Sequence, residues 1–127
     1  MNIERQKTVL KWMRRGTLLV ALGVAAHLGS RFDLVTLPEE GCIPVSRYAP
    51  GSRLLVDRRP PTWRVGDCVF VEAPDTSVHI VLLSATNSDG FFRTETDNSE
   101  CPGVDPEWLG WVGPPSLLGR VVMALGR

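Results

Sequence analysis

The chain has 127 residues, a length that is enough for one domain with a single core. It has 14 basic and 14 acidic side chains and a formal net charge of zero. The charges are segregated: residues 1–15 carry a net charge of +4, and residues 31–127 a net charge of −4. The acidic main part excludes the basic footprint of a nucleic-acid-binding protein. The three cysteines form no CxxC pair, so the sequence offers no zinc site and no other metal or cofactor site.

Residues 16–30, GTLLVALGVAAHLGS, contain no acidic residue, Lys or Arg. The basic cluster before them predicts a cytoplasmic tail at residues 1–15, followed by a transmembrane or signal-anchor helix at residues 16–30. The run is shorter than the ~20 apolar residues of a usual span, but the long stems of Arg14, Arg15 and Arg31 can extend its reach. We therefore predict a single-pass membrane protein with a cytoplasmic N-terminus and the remainder outside the cytoplasm.

Two other interpretations of this run stay open. Val24-Ala25-Ala26 has the small residues of a signal-peptide cleavage site, so the segment fits a cleaved signal peptide as well. A buried helix of a soluble domain is the third interpretation. If the run spans the membrane or is a cleaved signal peptide, the three later cysteines enter an oxidising compartment. One disulfide can form there, and the odd number of cysteines leaves one thiol free.

Residues 31–41 are predicted to be a connector, and residues 42–127 a small, mainly β domain. Frequent Pro and Gly residues after residue 42 leave no room for a long helix. Short runs rich in β-branched and aromatic residues between these breaks predict strands at 53–57, 68–72, 78–84, 91–96 and 118–125. The NSDG sequence at residues 87–90 predicts a hairpin turn. We expect an antiparallel coiled sheet or barrel after the N-terminal helix.

The order of the motifs resembles that of the type I signal peptidase family in a reduced form. The short length is similar to that of the small family members that mature nickel superoxide dismutase or that conjugative plasmids encode. The matching segments are PGSRLLVDR at 50–58, WRVGDCVFV at 63–71, TDN at 96–98, VDPEWLGWV at 104–112 and LLGRVV at 117–122. The resemblance implies a membrane-anchored β domain that cleaves exported precursor polypeptides.

The family's usual catalytic pair is Ser with Lys, and a related branch uses Ser with His. Both lysines of this chain, Lys7 and Lys11, precede the apolar run, so a spanning helix would exclude a Ser-Lys pair. The sequence SVHIVLL at 77–83 aligns with the strand that carries the family's base and places His79 at that position. Imidazole is a competent general base near neutral pH.

The nucleophile position has two alternative registers. Counting back from the PG motif without gaps places Ile43 there, which is inert, whereas the plasmid-type pattern places Cys42 there. A Cys42–His79 pair is chemically sound because a neighbouring imidazolium favours the thiolate. The hydroxyls of Ser46 and Ser52 are candidates for the oxyanion site, and Asp105 is a candidate for orienting the base. The alternative is that Cys42 is a packing residue or half of a disulfide.

Two functions are therefore favoured over a third, a small barrel unrelated to peptidases that binds a ligand in its mouth, and the sequence does not decide whether the protein is an enzyme. The first is a membrane-anchored endopeptidase with atypical catalytic residues that acts on exported polypeptides. The second is a catalytically inactive domain of the same type, which binds a partner protein at the membrane as an adaptor or scaffold. Trp108 and Trp111 could form an apolar lip on the bilayer surface, or fill the core.

Overall fold

The computed structural model describes residues 3–126 and divides into two units, one ending at Arg31 and the other beginning at Phe32. The first unit is a single helix, α1, Ile3–Arg31. The predicted helix therefore extends back through the basic tail, which is rich in Arg, Lys, Gln, Leu and Met, all good helix formers. None of the described residues of α1 is buried.

Within residues 3–126, no helix has a stretch both long and apolar enough to cross a membrane. The uncharged run has only 15 residues and includes Gly16, Gly23 and Gly29, whereas a span needs ~20 predominantly apolar residues. The transmembrane helix at residues 16–30 stays a prediction from the sequence.

The second unit is a six-stranded, fully antiparallel sheet, which confirms the mainly β prediction. The strand preceding residue 42 lies in the predicted connector, so that part of the domain assignment is corrected. The NSDG turn is confirmed, since Asn87 Oδ1 accepts from two backbone N–H groups there. The elements are β1 Phe32–Thr36, β2 Arg53–Asp57, β3 Cys68–Glu72, β4 Val78–Thr86, β5 Phe92–Glu95, α2 Pro106–Leu109, a 3₁₀ turn Pro114–Ser116 and β6 Leu117–Ala124. The strand order in the sheet is β1-β2-β6-β3-β4-β5.

Both faces of the sheet are covered, because side chains alternate between the faces along each strand. On β4, Ile80 and Leu82 point to the first face, where the segment between β1 and β2 contributes Leu37, Ile43 and Val45. Val81 and Leu83 point to the second face, which α2 and its flanking residues cover through Leu109 and Val112. Each face thus has its own hydrophobic cluster.

Gly119 on β6 lets the central strands approach closely. A Cβ at this position would lie 2.4 Å from Val56 Cγ1 and 3.2 Å from the carbonyl oxygen of Asp57. The register between β3 and β6 shifts next to this residue. The glycine of the LLGRVV motif therefore has a packing role.

Candidate functional site

Two loops meet at the position where the sequence places the nucleophile, and a disulfide joins them. Residues 41–46 and residues 97–103, here called the stapled loops, are linked by the Cys42–Cys101 bond with a Cα–Cα distance of 5.7 Å. Cys42 is exposed and Cys101 is buried. The sequence had left the pairing of the three cysteines open, and the structure assigns it.

Hydrogen bonds reinforce the link between the stapled loops. The carbonyl oxygen of Pro44 accepts from the backbone N–H groups of Asp97 and Asn98 at 3.1 and 3.0 Å. Asn98 Nδ2 donates to the carbonyl oxygen of Ile43 at 2.8 Å, and the Ser46 N–H donates to Asp97 Oδ1 at 2.7 Å. The TDN motif therefore binds the segment that carries Cys42.

The Asp97 carboxylate is the charged group of this contact. The hydrogen bond from the Ser46 N–H holds the pKa of the Asp97 carboxyl below its usual value. The Ser46 hydroxyl contributes in the same direction through a further hydrogen bond. Ser46, predicted as an oxyanion donor, thus uses its backbone N–H and its hydroxyl to hold the loop.

The predicted nucleophile is corrected by this geometry. A thiolate is the reactive form of cysteine, and Cys42 Sγ is instead bonded to Cys101 Sγ. The oxidised chain therefore has no thiol at residue 42. The remaining cysteine, Cys68, is buried, and burial raises the pKa of its thiol to about 12, so it is protonated and inert at neutral pH.

His79 does not face the stapled loops. His79 is separated from Val81 and Leu83 by two and four residues on β4, so its side chain lies on the same face of the sheet as theirs. Val81 and Leu83 pack on the second face. The stapled loops pack on the first face through Ile43 and Val45. The sheet therefore separates the two residues of the predicted dyad, and it does not bring them together.

The imidazole of His79 has a different partner. His79 Nε2 lies 2.7 Å from Ser77 Oγ, and the Ser77 hydroxyl and backbone N–H both bond to Asp75 Oδ1. The hydrogen bonds from the Ser77 hydroxyl and the Ser77 N–H lower the pKa of the Asp75 carboxyl. The partner of the imidazole is therefore a serine at the turn before β4, and not Cys42. The three residues form a turn-stabilising chain between β3 and β4.

Two other predicted site residues also have structural partners. Asp105 caps α2, since its Oδ1 accepts from the Glu107 N–H at 3.0 Å. Ser52 is buried, and its hydroxyl donates to the carbonyl oxygen of Ala49 at 2.6 Å. Neither side chain has a described hydrogen bond to His79, so the predicted oxyanion and orienting roles have no geometric support.

The second face carries a groove of about 370 Å³ beside α2. Trp108 and Trp111 are 49% and 44% exposed, so the alternative that they fill the core is wrong. The guanidinium of Arg93 lies 5.1 Å from the centroid of the Trp111 ring, and Trp63 packs partly against the second cluster. Among the described residues, no group of three His, Cys, Asp or Glu side chains could hold a metal ion.

Sequence analysis did not single out Asp97, Cys101 and Asn98 as a unit that holds the Cys42 segment. The signal was the Asp-Asn pair, which favours local turns.

No protein-family model, curated protein sequence or solved structure matches this chain. The resemblance to type I signal peptidases therefore stays a prediction from the motifs.

Proposed function

We propose that residues 32–126 are a non-catalytic, signal peptidase-like domain that works outside the cytoplasm as an adaptor for extended polypeptides. The observation that carries the proposal is the Cys42–Cys101 disulfide. It converts the expected nucleophile into a structural link between two loops. The separation of Cys42 and His79 by the sheet supports the same proposal.

The disulfide also supports the location. Such bonds persist in oxidising compartments and are rare in the cytosol. The β domain is acidic, whereas the segment before it is basic and then apolar, a charge order typical of exported chains. We propose that the domain folds and binds its partner after export.

The proposed binding surface is a short free edge of β4. β5 pairs with β4 only from Leu82 to Thr86, so no strand of the described chain pairs with residues 78–81 on the side away from β3. The carbonyl oxygen of Ser77 accepts from the Ala73 N–H, and the Leu83 N–H donates to the carbonyl oxygen of Asp67. The backbone N–H and C=O groups of the odd-numbered residues of β4 therefore point toward β3. By alternation, the N–H and C=O groups of Val78 and Ile80 point toward the free edge. An extended polypeptide can add there as a strand.

The lack of catalysis is tested with exported precursor polypeptides, with and without reductant. We expect no cleavage by the oxidised chain, by the reduced chain or by a Cys42→Ala variant. Cleavage that requires reductant and disappears in Cys42→Ala would overturn the proposal and restore the endopeptidase with Cys42 as its nucleophile.

Polypeptide binding is tested by NMR titration of the full chain with an extended peptide of small apolar residues. We expect the amide resonances of Val78 and Ile80 to shift most. Val78→Pro removes the outward N–H of an exposed residue and should weaken binding, whereas the matched Val78→Thr keeps that N–H and should bind normally. Equal binding by both variants would reject this edge as the binding site.

A further inference from the structure

Residues 17–26, TLLVALGVAA, form ten uncharged residues between a basic cluster and His27. An apolar stretch of 7–15 residues after positive charges, ending in small residues, is typical of a segment that an export peptidase removes. Here Val24 and Ala26 take the two positions that must be small in such a site. Ala25 takes the position between them, which the pattern leaves free.

The two hydrophobic clusters of the β domain are made of residues from the second unit alone. Every member of both hydrophobic clusters lies at Leu37 or later in the chain. None of the described residues of α1 is buried, and Leu19, Leu22 and Val24 are 71%, 66% and 53% exposed. Removing residues 1–26 therefore takes no residue from either cluster, while it removes apolar surface that water solvates poorly.

The disulfide supplies a second and independent observation. A cytosolic chain would keep Cys42 and Cys101 reduced, whereas the structure joins them. The disulfide therefore favours a domain outside the cytoplasm, and the segment preceding β1 has the basic and then apolar composition that directs export. A cut after Ala26 leaves five residues before β1 begins at Phe32, so the edge strand stays intact.

We infer that the Ala26–His27 peptide bond is a processing site at which an export peptidase of the host releases the β domain. The reaction is a hydrolysis: one water molecule is consumed, Ala26 gains the new carboxylate, and His27 gains the new amine. The product is a domain that begins at His27 and retains the disulfide. This inference rests on export of the chain, and not on whether the β domain binds polypeptides.

The test expresses the full chain, with a C-terminal tag, in a bacterial host that has a Sec export pathway. The intact mass and N-terminal sequence of the tagged protein are then measured in the cytoplasmic and extracytoplasmic fractions. We expect the extracytoplasmic protein to begin at His27. An extracytoplasmic chain that keeps residues 1–26, or a tagged chain found only uncut in the cytoplasm, would overturn the inference.

A matched pair of substitutions tests the site itself. Ala26→Leu places a bulky residue where a small one is required and should abolish the cut, so that the uncut mass accumulates. Ala25→Leu makes the same change one residue earlier and should leave the cut after Ala26 unchanged. Cutting of the Ala26→Leu chain at the same bond, or loss of cutting in both variants alike, would refute the assignment. Polypeptide binding is measured separately on each product, so a failed adaptor proposal would not be mistaken for a failed cut.

Discussion

Loss of the Cys42–Cys101 disulfide should remove a large part of the stability of the β domain. The two cysteines are 59 residues apart in the sequence. For a closed loop of that length, the chain-entropy model gives a loss of about 14 cal/mol/K in the unfolded chain, or about 4 kcal/mol at 25 °C. Domains of this size are stable by only about 5–15 kcal/mol, so the effect should be easy to measure.

The assay is equilibrium unfolding of the full chain in urea, with and without reductant. For an m-value of about 2 kcal/mol/M, reduction should lower the midpoint by about 2 M. A Cys42→Ser/Cys101→Ala double variant should start near the lower midpoint and should not respond to reductant. Cys68→Ala is the control, because it keeps the disulfide and should respond as the parent chain does.

The reasoning would be refuted by a reduced chain whose stability falls by less than about 1 kcal/mol while thiol titration shows both cysteines free. In that case the hydrogen bonds between the stapled loops would be sufficient to hold them. The bond between Asp97 and the Ser46 N–H would then be the next one to remove.

Three further predictions concern single residues. Gly119→Ala should destabilise the domain by about 2 kcal/mol in urea unfolding, because the new Cβ would lie 2.4 Å from Val56 Cγ1. Gly16→Ala is the control, since a Cβ at Gly16 would have nothing within 4 Å. Equal unfolding midpoints for the two variants would contradict the packing role of Gly119. Thr76 has φ 69°, so Thr76→Asn should stabilise the domain by about 1 kcal/mol in thermal unfolding, and a lower melting temperature would contradict this. The pKa of the Asp97 carboxyl is lower in the folded chain than the ordinary value of an aspartic acid. The stability that the ionised carboxylate contributes is therefore present above about pH 4 and is lost as the pH falls through the folded pKa. Asp97→Asn should flatten the loss of stability between neutral and acidic pH, and an unchanged pH profile would exclude this role.

The strands that the sequence predicted best are those with clear boundaries. The predicted ranges 53–57 and 68–72 coincide with β2 and β3, because Pro-Gly and Gly-Asp turns precede them. β1 was missed since Phe32–Thr36 lies in a short segment before Pro38 that has no such turn on its N-terminal side. Its strand conformation depends on pairing with β2, which local sequence does not encode.

The disulfide could not be assigned from the sequence because three cysteines allow three pairings. The pairing follows from contacts between residues more than 50 positions apart, such as the bond from Asn98 Nδ2 to the Ile43 carbonyl oxygen. The sequence limited the choices, and the packing of the stapled loops selected one.

The face of the sheet that His79 occupies was equally hidden. Its strand reads SVHIVLL, and both faces of β4 are covered, so the apolar residues do not alternate with polar ones as they do in a half-buried strand. Without alternation, the sequence does not show whether His79 lies on the same face as Cys42. Alignment with a motif placed it near a nucleophile, and the register of the sheet places it on the other face.

These results put two independent obstacles before a thiol mechanism. A free thiol at Cys42 requires reduction, which should cost the fold about 4 kcal/mol, so any such chemistry would take place in a weakened domain. Even then, the imidazole of His79 would face the other side of the sheet, with Ser77 as its partner. Removing one obstacle leaves the other in place. A chain that gained cleavage activity on reduction would therefore need a base other than His79, and His79→Gln should leave that activity unchanged.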